Sequence, residues 1–229
     1  MNGEVMNNEE DYAFDVAGYL HVPGALKSEE VKELNRALDG MKKSTGMLGW
    51  PVPQRDPFRD LLVHPKLVWY LNQIMGHGFR LDQAPQLLGY QEGEVGDKLV
   101  GGDEPRNPSR AYYQQNGRRS SQGIKVIWAL EDVVEGDGGL VMVQASHKSN
   151  VGTPPDLVTG VDEMGLVKQL ELKAGDLFLL AESVLQGVRP WNGDSKRLLT
   201  YWYAGRAAIQ SNGLGSGAQI ESLVEWAKE

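Results

Sequence analysis

The chain contains no cysteine among its 229 residues. Disulfide bonds and thiolate metal sites are therefore excluded, and a metal ion would have to be bound by histidine, aspartate or glutamate. The chain also lacks an apolar run near the ~18 residues that a membrane-spanning helix needs. Its first residues, MNGEVMNNEEDYAF, are acidic and polar, unlike a signal or transit peptide. We therefore expect a cytoplasmic protein with no membrane partner.

Basic residues are fewer than acidic ones, at 23 lysines and arginines against 31 aspartates and glutamates, which gives a net charge of −8. A general nucleic-acid binder usually carries a basic face. We therefore expect a small molecule or another protein as the partner, and no nucleic acid. The hydrophobic fraction of 41% is too high for a disordered chain, and a single core can extend over roughly 250 residues.

The first third of the chain has helical spacing, and the remainder has the pattern of strands. Ser28 is suited to cap a helix in which Val31 and Leu34 begin an apolar face, and the stretch 58–75 repeats this spacing. From Arg80 onward, short apolar runs alternate with turn-like clusters such as EGDGG, KAGD and WNGDS. Helices followed by several short strands favour an α+β fold whose strands form a sandwich or closed barrel.

The domain boundaries follow from composition. Residues 1–12 are expected to be a flexible tail, and residues 13–209 a single domain. Within that domain, the polar stretch 95–122 is long enough to be a lid loop. Residues 210–229 are expected to be a flexible connector followed by a short amphipathic helix, IESLVEWAKE.

Four separated segments carry a resemblance to one protein family. They are FDVAGYLHVPGALKSEEVKELNRALD near the start, GDKLVGG at 96–102, EDVVEGDGGLVMVQASHKSN at 131–150 and AGDLFLLAESVLQGVRPWNGDSKRLLTYWY at 174–203. In their order and rough spacing the chain resembles the phytanoyl-CoA dioxygenase family of Fe(II)/2-oxoglutarate oxygenases, over about residues 14–203. The resemblance implies a double-stranded β-helix, a jelly-roll or cupin-like barrel, flanked by N-terminal helices. It also implies an iron site of two histidines and usually a carboxylate.

The same resemblance places the two iron-binding histidines at Val100 and Gln186. Valine offers no lone pair, and the neutral amide oxygen of glutamine is a weak ligand for Fe(II). Glu182 and Asp103 could supply oxygens, although a site made only of carboxylates favours Mg, Ca or Mn over redox iron. We therefore expect a lost iron site and no cofactor, with Fe(II) and 2-oxoglutarate needed only in the alternative function below. The four histidines, which lack ligand spacing and which we interpret as structural or exposed, are His21, His64, His77 and His147.

Several other side chains are candidates for the site. The resemblance implies that Arg197, eleven residues after Gln186, clamps a carboxylate, which would make the ligand anionic. Glu182 and Gln186 are four apart on an expected strand, so they would share one face and suit acid/base chemistry in the barrel mouth; Glu182 could equally end a strand in solvent. Lys125 could face the pocket or lie at an edge, and Trp128 and Tyr201 could belong to the core.

The expected catalytic residues are Glu182, Gln186, Arg197 and Asp103, and the expected substrate contacts are Val100, Tyr112, Tyr113, Lys125, Trp128 and Tyr201.

Three functions remain open from the sequence. The first is a repurposed enzyme of biosynthesis that works without redox iron, a cyclase, isomerase or lyase acting on a small organic molecule of natural-product type. The second is a 2-oxoglutarate-dependent oxygenase with atypical iron ligands. The third is a non-catalytic binding protein or the partner subunit of a homo- or heterodimer. A fold resemblance does not by itself select a reaction.

Overall fold

The computed structural model describes residues 6–39, 46–88, 98–101, 111–115, 118–192 and 196–206. These residues form a mixture of helices and antiparallel sheets, in agreement with the α+β pattern of the sequence. None of the helices in these ranges is long and apolar enough to cross a membrane. The expected connector and helix at 210–229 lie outside the described residues.

The helices begin and end where the local chemistry favours it. Asn7 caps the first helix by accepting a hydrogen bond from the Glu10 amide at 2.7 Å, and Gly18 ends it in a left-handed conformation. The α-helices are α1 (Asn8–Ala17), α2 (Ser28–Asp39), α3 (Asp56–Leu62), α4 (Pro65–Met75) and α5 (Pro155–Thr159), with 3₁₀ turns at Met47–Gly49 and Ser146–Lys148.

Residues 8–12 are helical, where the sequence predicted a flexible tail. The acidic residues that suggested a loose segment, Glu9, Glu10 and Asp11, occupy the first turn of α1. Negative charges in that position are stabilised by the helix dipole. Their acidity therefore supports helix formation.

The described strands form two main sheets and one hairpin. The five-stranded sheet has the order β1-β8-β5-β10-β2, the three-stranded sheet has the order β7-β6-β9, and β3 pairs with β4. All neighbouring pairs are antiparallel. The strands are β1 (Tyr19–Val22), β2 (Arg80–Leu88), β3 (Tyr112–Gln115), β4 (Arg118–Ser121), β5 (Gly123–Ala129), β6 (Gly139–Val143), β7 (Val167–Gln169), β8 (Leu177–Ala181), β9 (Gln186–Arg189) and β10 (Leu198–Ala204).

The five-stranded sheet is covered on both faces. Every residue of β5 is buried, and the alternation of strand side chains sends Trp128 to one face and Lys125 to the other. On the face of Trp128, the Tyr201 hydroxyl donates to the Phe58 carbonyl oxygen of α3 at 3.0 Å. On the face of Lys125, its ammonium donates to Gln186 of the three-stranded sheet. Helices therefore cover one face, and the smaller sheet covers the other.

The segment predicted as a lid loop, 95–122, contains regular structure. Residues 112–115 and 118–121 pair as the hairpin β3–β4, with Tyr112 opposite Ser121. The hairpin was not predicted, because its polar residues lack the apolar alternation by which strands are identified. Residues 102–110 lie outside the described residues.

We expect Tyr201→Phe to lower the free energy of unfolding by about 1–2 kcal/mol, because it removes the buried donor to the Phe58 carbonyl oxygen and leaves that oxygen unpaired. Urea denaturation measures the change. Tyr12→Phe, at a side chain that is 71% exposed, is the control and should change stability by a few tenths of a kcal/mol at most. Equal stability of the two variants would show that the buried hydrogen bond contributes nothing.

Candidate functional site

Val100 and Gln186 lie directly opposite each other across an antiparallel β-bridge. The Val100 amide donates to the Gln186 carbonyl oxygen at 2.7 Å, and the Gln186 amide donates to the Val100 carbonyl oxygen at 2.8 Å. Residues paired in this way project their side chains to the same face. The structure therefore brings together the two positions at which the family resemblance implies iron ligands.

A glycine next to this bridge permits a close approach of two backbones. Gly101 has φ of 91°, and a Cβ atom added there would collide with the carbonyl oxygen of Val184. Only glycine adopts this conformation and leaves room for that oxygen. Gly101 thereby allows the segment 98–101 to lie against the turn that leads into β9.

Lys125 reaches the bridge from the larger sheet. Its side chain is buried, and its Nζ donates to Gln186 Oε1 at 3.0 Å. Trp202 of β10 lies opposite Lys125 in the strand register, and Lys125 Nζ is 5.0 Å from the centre of the Trp202 ring. An ammonium over an indole ring is stabilised by the ring quadrupole.

The Glu182 carboxylate lies over the face of β5 from which the Lys125 side chain projects. Its amide donates to the Gly123 carbonyl oxygen at 2.9 Å, and a Cβ atom added at Gly123 would overlap the Glu182 carboxylate. Gly123 precedes Lys125 by two residues, so the two positions project to one face. We call Val100, Lys125, Glu182, Gln186 and Trp202 the bridge site.

The argument that placed Glu182 and Gln186 on one strand is wrong. Glu182 lies in a turn after β8, and Gln186 begins β9 in the other sheet. The Val184 amide donates to the Ala181 carbonyl oxygen at 2.9 Å, which closes the turn between the two strands. Both residues belong to the bridge site because of this turn, and not because of a spacing of four.

Arg197 lies away from the bridge site, which corrects its expected role as a carboxylate clamp. Its guanidinium donates to Asp39 Oδ1 at 2.6 Å and to Asn35 Oδ1 at 3.0 Å, both in α2, and lies 3.7 Å from Glu131 Oε1. The alternation along β10 sends residue 197 to the helix-covered face, together with Tyr201. The spacing of eleven residues from Gln186 gives the position of Arg197 in the chain. It does not give the face of the sheet on which Arg197 lies.

Four other expected site residues lie elsewhere or remain untested. Trp128 is buried edge-to-face against the His64 ring, with ring centres 5.2 Å apart, and Tyr201 faces α3, so neither meets the bridge site. Tyr113 lies on β3 and is 42% exposed. Asp103 lies outside the described residues.

Tyr112 attaches the hairpin to α1. Its hydroxyl donates to Asp15 Oδ1, and Lys148 Nζ donates to Asp15 Oδ2 at 2.6 Å. The His147 ring packs edge-to-face on Tyr112, with centres 4.8 Å apart. Burial, together with the hydrogen bond to Asp15, raises the pKa of Tyr112 above its usual range. The contacts of Tyr112 are therefore those of a neutral phenol that positions the hairpin.

The described residues do not offer the histidine donors of the family. They contain no group of three histidines, aspartates or glutamates placed to hold a metal ion. His21 is paired with Asp176 at 2.7 Å, and His147 contacts the Asp15 carbonyl oxygen at 3.1 Å. At the bridge itself, Gln186 Oε1 accepts from Lys125, and Val100 has no donor atom.

Sequence reasoning missed Trp202, Gly123 and Gly101. A usable signal was present in GIKVIWA at 123–129, where one lysine interrupts an apolar strand. Alternation places Gly123 and Lys125 on one face and Trp128 on the other. A lysine on a buried strand therefore marked the face that carries the site, whereas Trp128 and Tyr201, two of the aromatic residues named from the sequence, lie on the opposite face.

A scan against protein-family models finds no match, and no curated protein matches by sequence. Solved structures do match. HygX from Streptomyces hygroscopicus, with nickel and 2-oxoglutarate bound, has a TM-score of 0.76 at 22% identity, over 95% of this chain and 99% of that chain. AviO1 from Streptomyces viridochromogenes Tue57 has a TM-score of 0.65 at 15% identity, over 91% of this chain and 99% of that chain.

SnoN, a non-haem α-ketoglutarate-dependent epimerase from nogalamycin biosynthesis, has a TM-score of 0.63 at 18% identity, over 92% of this chain and 91% of that chain. Small molecules bind to two of these neighbours, hygromycin B to HygX and nogalamycin RO to SnoN. At identities this low, the likeness establishes that the chain has the fold of these proteins.

These neighbours contradict the expectation that the chain needs no cofactor. HygX is known with nickel and 2-oxoglutarate and with iron, and SnoN with Fe³⁺ and α-ketoglutarate. The expectation was drawn from the absence of two histidines. That absence removes two donor groups, but it does not remove the rest of a binding site, since carboxylate, carbonyl and water oxygens can also bind metal ions.

We expect Asp15→Asn to flatten the acid side of the stability profile. Burial raises the pKa of Asp15, but hydrogen bonds from Lys148 and Tyr112 outweigh burial and hold this pKa below its ordinary value of 3.8. A lowered carboxyl pKa contributes stability that is complete above the unfolded pKa and is lost as the pH falls through the folded pKa.

Urea midpoints at pH 7, 4 and 3 measure this effect. The variant should be less stable than the parent at pH 7, and the difference should shrink below pH 4. Asp156→Asn, at an exposed position, is the control and should leave the slope of the profile unchanged. A constant difference between Asp15→Asn and the parent at all three pH values would contradict the assignment.

Proposed function

We propose that the protein is an enzyme that acts on a small organic molecule of natural-product type and that uses 2-oxoglutarate and a metal ion. The observation that carries the proposal is the bridge between Val100 and Gln186. It unites the two positions that the family resemblance assigns to metal ligands, in a fold shared with HygX and SnoN. The metal ligands would differ from the usual pair of histidines.

The proposal includes the finer fold assignment. The five-stranded and three-stranded antiparallel sheets would be the two walls of a double-stranded β-helix. In support, Lys125 of one sheet contacts Gln186 of the other, and one hydrophobic cluster contains Ile127 of the larger sheet together with Leu140 and Met142 of the smaller one. The bridge site would then lie where the two walls meet.

The residues at the bridge do not fit the family's iron ligation. Val100 supplies no donor, and the amide oxygen of Gln186 already accepts a hydrogen bond from an ammonium, which repels a divalent cation at short range. Glu182 supplies one carboxylate on this face, and Asp103 lies outside the described residues. The donor set at the bridge therefore does not match that of the family.

The chain's own groups have roles that follow from their chemistry. The Lys125 ammonium would attract an anionic group of the ligand, and Trp202 beside it would offer an aromatic surface. Glu182 would accept or hold a proton close to that group, because a carboxylate near a bound ligand can act as a general base. Val100, which is 60% exposed, would contact apolar parts of the ligand.

Turnover of 2-oxoglutarate tests the proposal directly. We expect purified protein supplied with Fe(II), oxygen and 2-oxoglutarate to form succinate above the level found with a metal chelator. Candidate natural products that raise succinate formation further would be candidate substrates. Metal content measured by elemental analysis after dialysis completes the experiment. Succinate formation equal with and without chelator would contradict the proposal.

We expect Glu182→Gln to lower succinate formation at least tenfold, because it removes a negative charge from the bridge site. Glu171→Gln, an exposed glutamate elsewhere on the surface, is the matched control and should retain full activity. Thermal unfolding of both variants distinguishes a lost function from a lost fold. Equal activity of the two variants would remove Glu182 from the site.

A further inference from the structure

The bridge site contains a buried cation at the place where the family has a metal ion. Lys125 is only 7% exposed, and its ammonium lies 3.0 Å from the side-chain oxygen of Gln186. Gln186 is itself 5% exposed and is paired with Val100 through both backbone hydrogen bonds. The positive charge of Lys125 therefore lies against one of the two implied ligand positions.

The neighbours of Lys125 orient its ammonium. The Gln186 amide oxygen fixes one N–H bond, and the Trp202 ring lies 5.0 Å from Nζ on the opposite strand. The Gln186 oxygen accepts a hydrogen bond from the ammonium, and the Trp202 ring offers it a negative π face.

The two sides of the bridge differ in their access to solvent. Val100 is 60% exposed, whereas Gln186 and Lys125 are buried. A ligand that comes from solvent would therefore pass the exposed Val100 before it reaches the Lys125 ammonium. Glu182, on the same face of β5, adds a carboxylate beside this path.

We propose that the Lys125 ammonium occupies the metal position of this fold between residues 100 and 186, and that it binds the carboxylate of a small ligand there. An ammonium excludes a divalent cation from its own position by charge repulsion and forms short, charge-assisted hydrogen bonds with a carboxylate. A metal ion used by the protein is then bound by other groups. The inference rests on the role that the proposed function gives to Lys125, and it adds a carboxylate as the ligand class and the exclusion of a metal ion from this position.

Restoring the histidines tests the first part of the inference. Val100→His with Gln186→His supplies two imidazoles on one face of the bridge, and Ni(II) binding can be measured by titration calorimetry. We expect this double variant to bind Ni(II) weakly while Lys125 is present. Adding Lys125→Met, which keeps an unbranched side chain of similar size but removes the charge, should raise the affinity at least tenfold.

The same titration contains its own controls. Lys125→Met alone should not bind Ni(II) more tightly than the parent, since it adds no ligand. Circular dichroism confirms that each variant is folded before it is titrated. Equal Ni(II) affinity of the double and triple variants would overturn the claim that Lys125 excludes a metal ion from the bridge.

Carboxylate binding tests the second part. With EDTA present, we expect 2-oxoglutarate and succinate to bind the parent, Lys125→Met to weaken both at least tenfold, and Lys125→Arg to retain part of the affinity. Arg197→Lys, which changes a cation outside the bridge site, is the matched control and should bind as the parent does. Unchanged binding in Lys125→Met, or no binding by the parent, would overturn the assignment.

The two proposals can fail separately. Chelator-independent carboxylate binding decides the role of Lys125, whereas chelator-sensitive succinate formation decides the proposed function. A protein that binds succinate through Lys125 but never turns over 2-oxoglutarate would retain the present inference and lose the proposed function.

Discussion

Two reciprocal backbone hydrogen bonds between Val100 and Gln186 determine where the other groups of the bridge site lie. They attach the segment 98–101 to β9. The side chain of Leu99 is at the same time buried in a small cluster with Val141, Leu157 and Leu185. Because both hydrogen bonds belong to the backbone, the positions of residues 100 and 186 do not depend on which side chains occupy them.

The periodic parts of the fold could be predicted from the sequence, because helices and strands repeat their apolar residues at different intervals. The short apolar runs that follow Arg80 in the sequence coincide with β2, β5, β6, β7, β8 and β10. Strand β9 was not among them, since its four residues, QGVR, contain a single large apolar side chain. The short α5 has no extended periodicity either, and its start depends on prolines rather than on an apolar face.

The site was predicted less well than the fold, and the reason is geometric. Motif spacing located residues 100 and 186 along the chain, and their pairing depends on a topology that spacing alone does not contain. The face of a side chain depends on whether its position is odd or even within the strand. By that rule, Arg197 and Tyr201 lie on the opposite face of the sheet from Trp202. Trp128 likewise lies on the opposite face from Lys125. The family resemblance favoured Arg197, whereas the strand alternation favoured Lys125.

The contact between α1 and the hairpin β3–β4 has a consequence for the order of folding. Asp15 and Tyr112 are 97 residues apart in the chain, and Asp15 and Lys148 are 133 apart. Contacts of such separation form slowly, because a long loop must be closed before they can contribute. Because α1 precedes both partners in the chain, these contacts cannot form until the chain has been made as far as Lys148. Helix α1 therefore docks on the hairpin late in folding, although it precedes the hairpin in the chain.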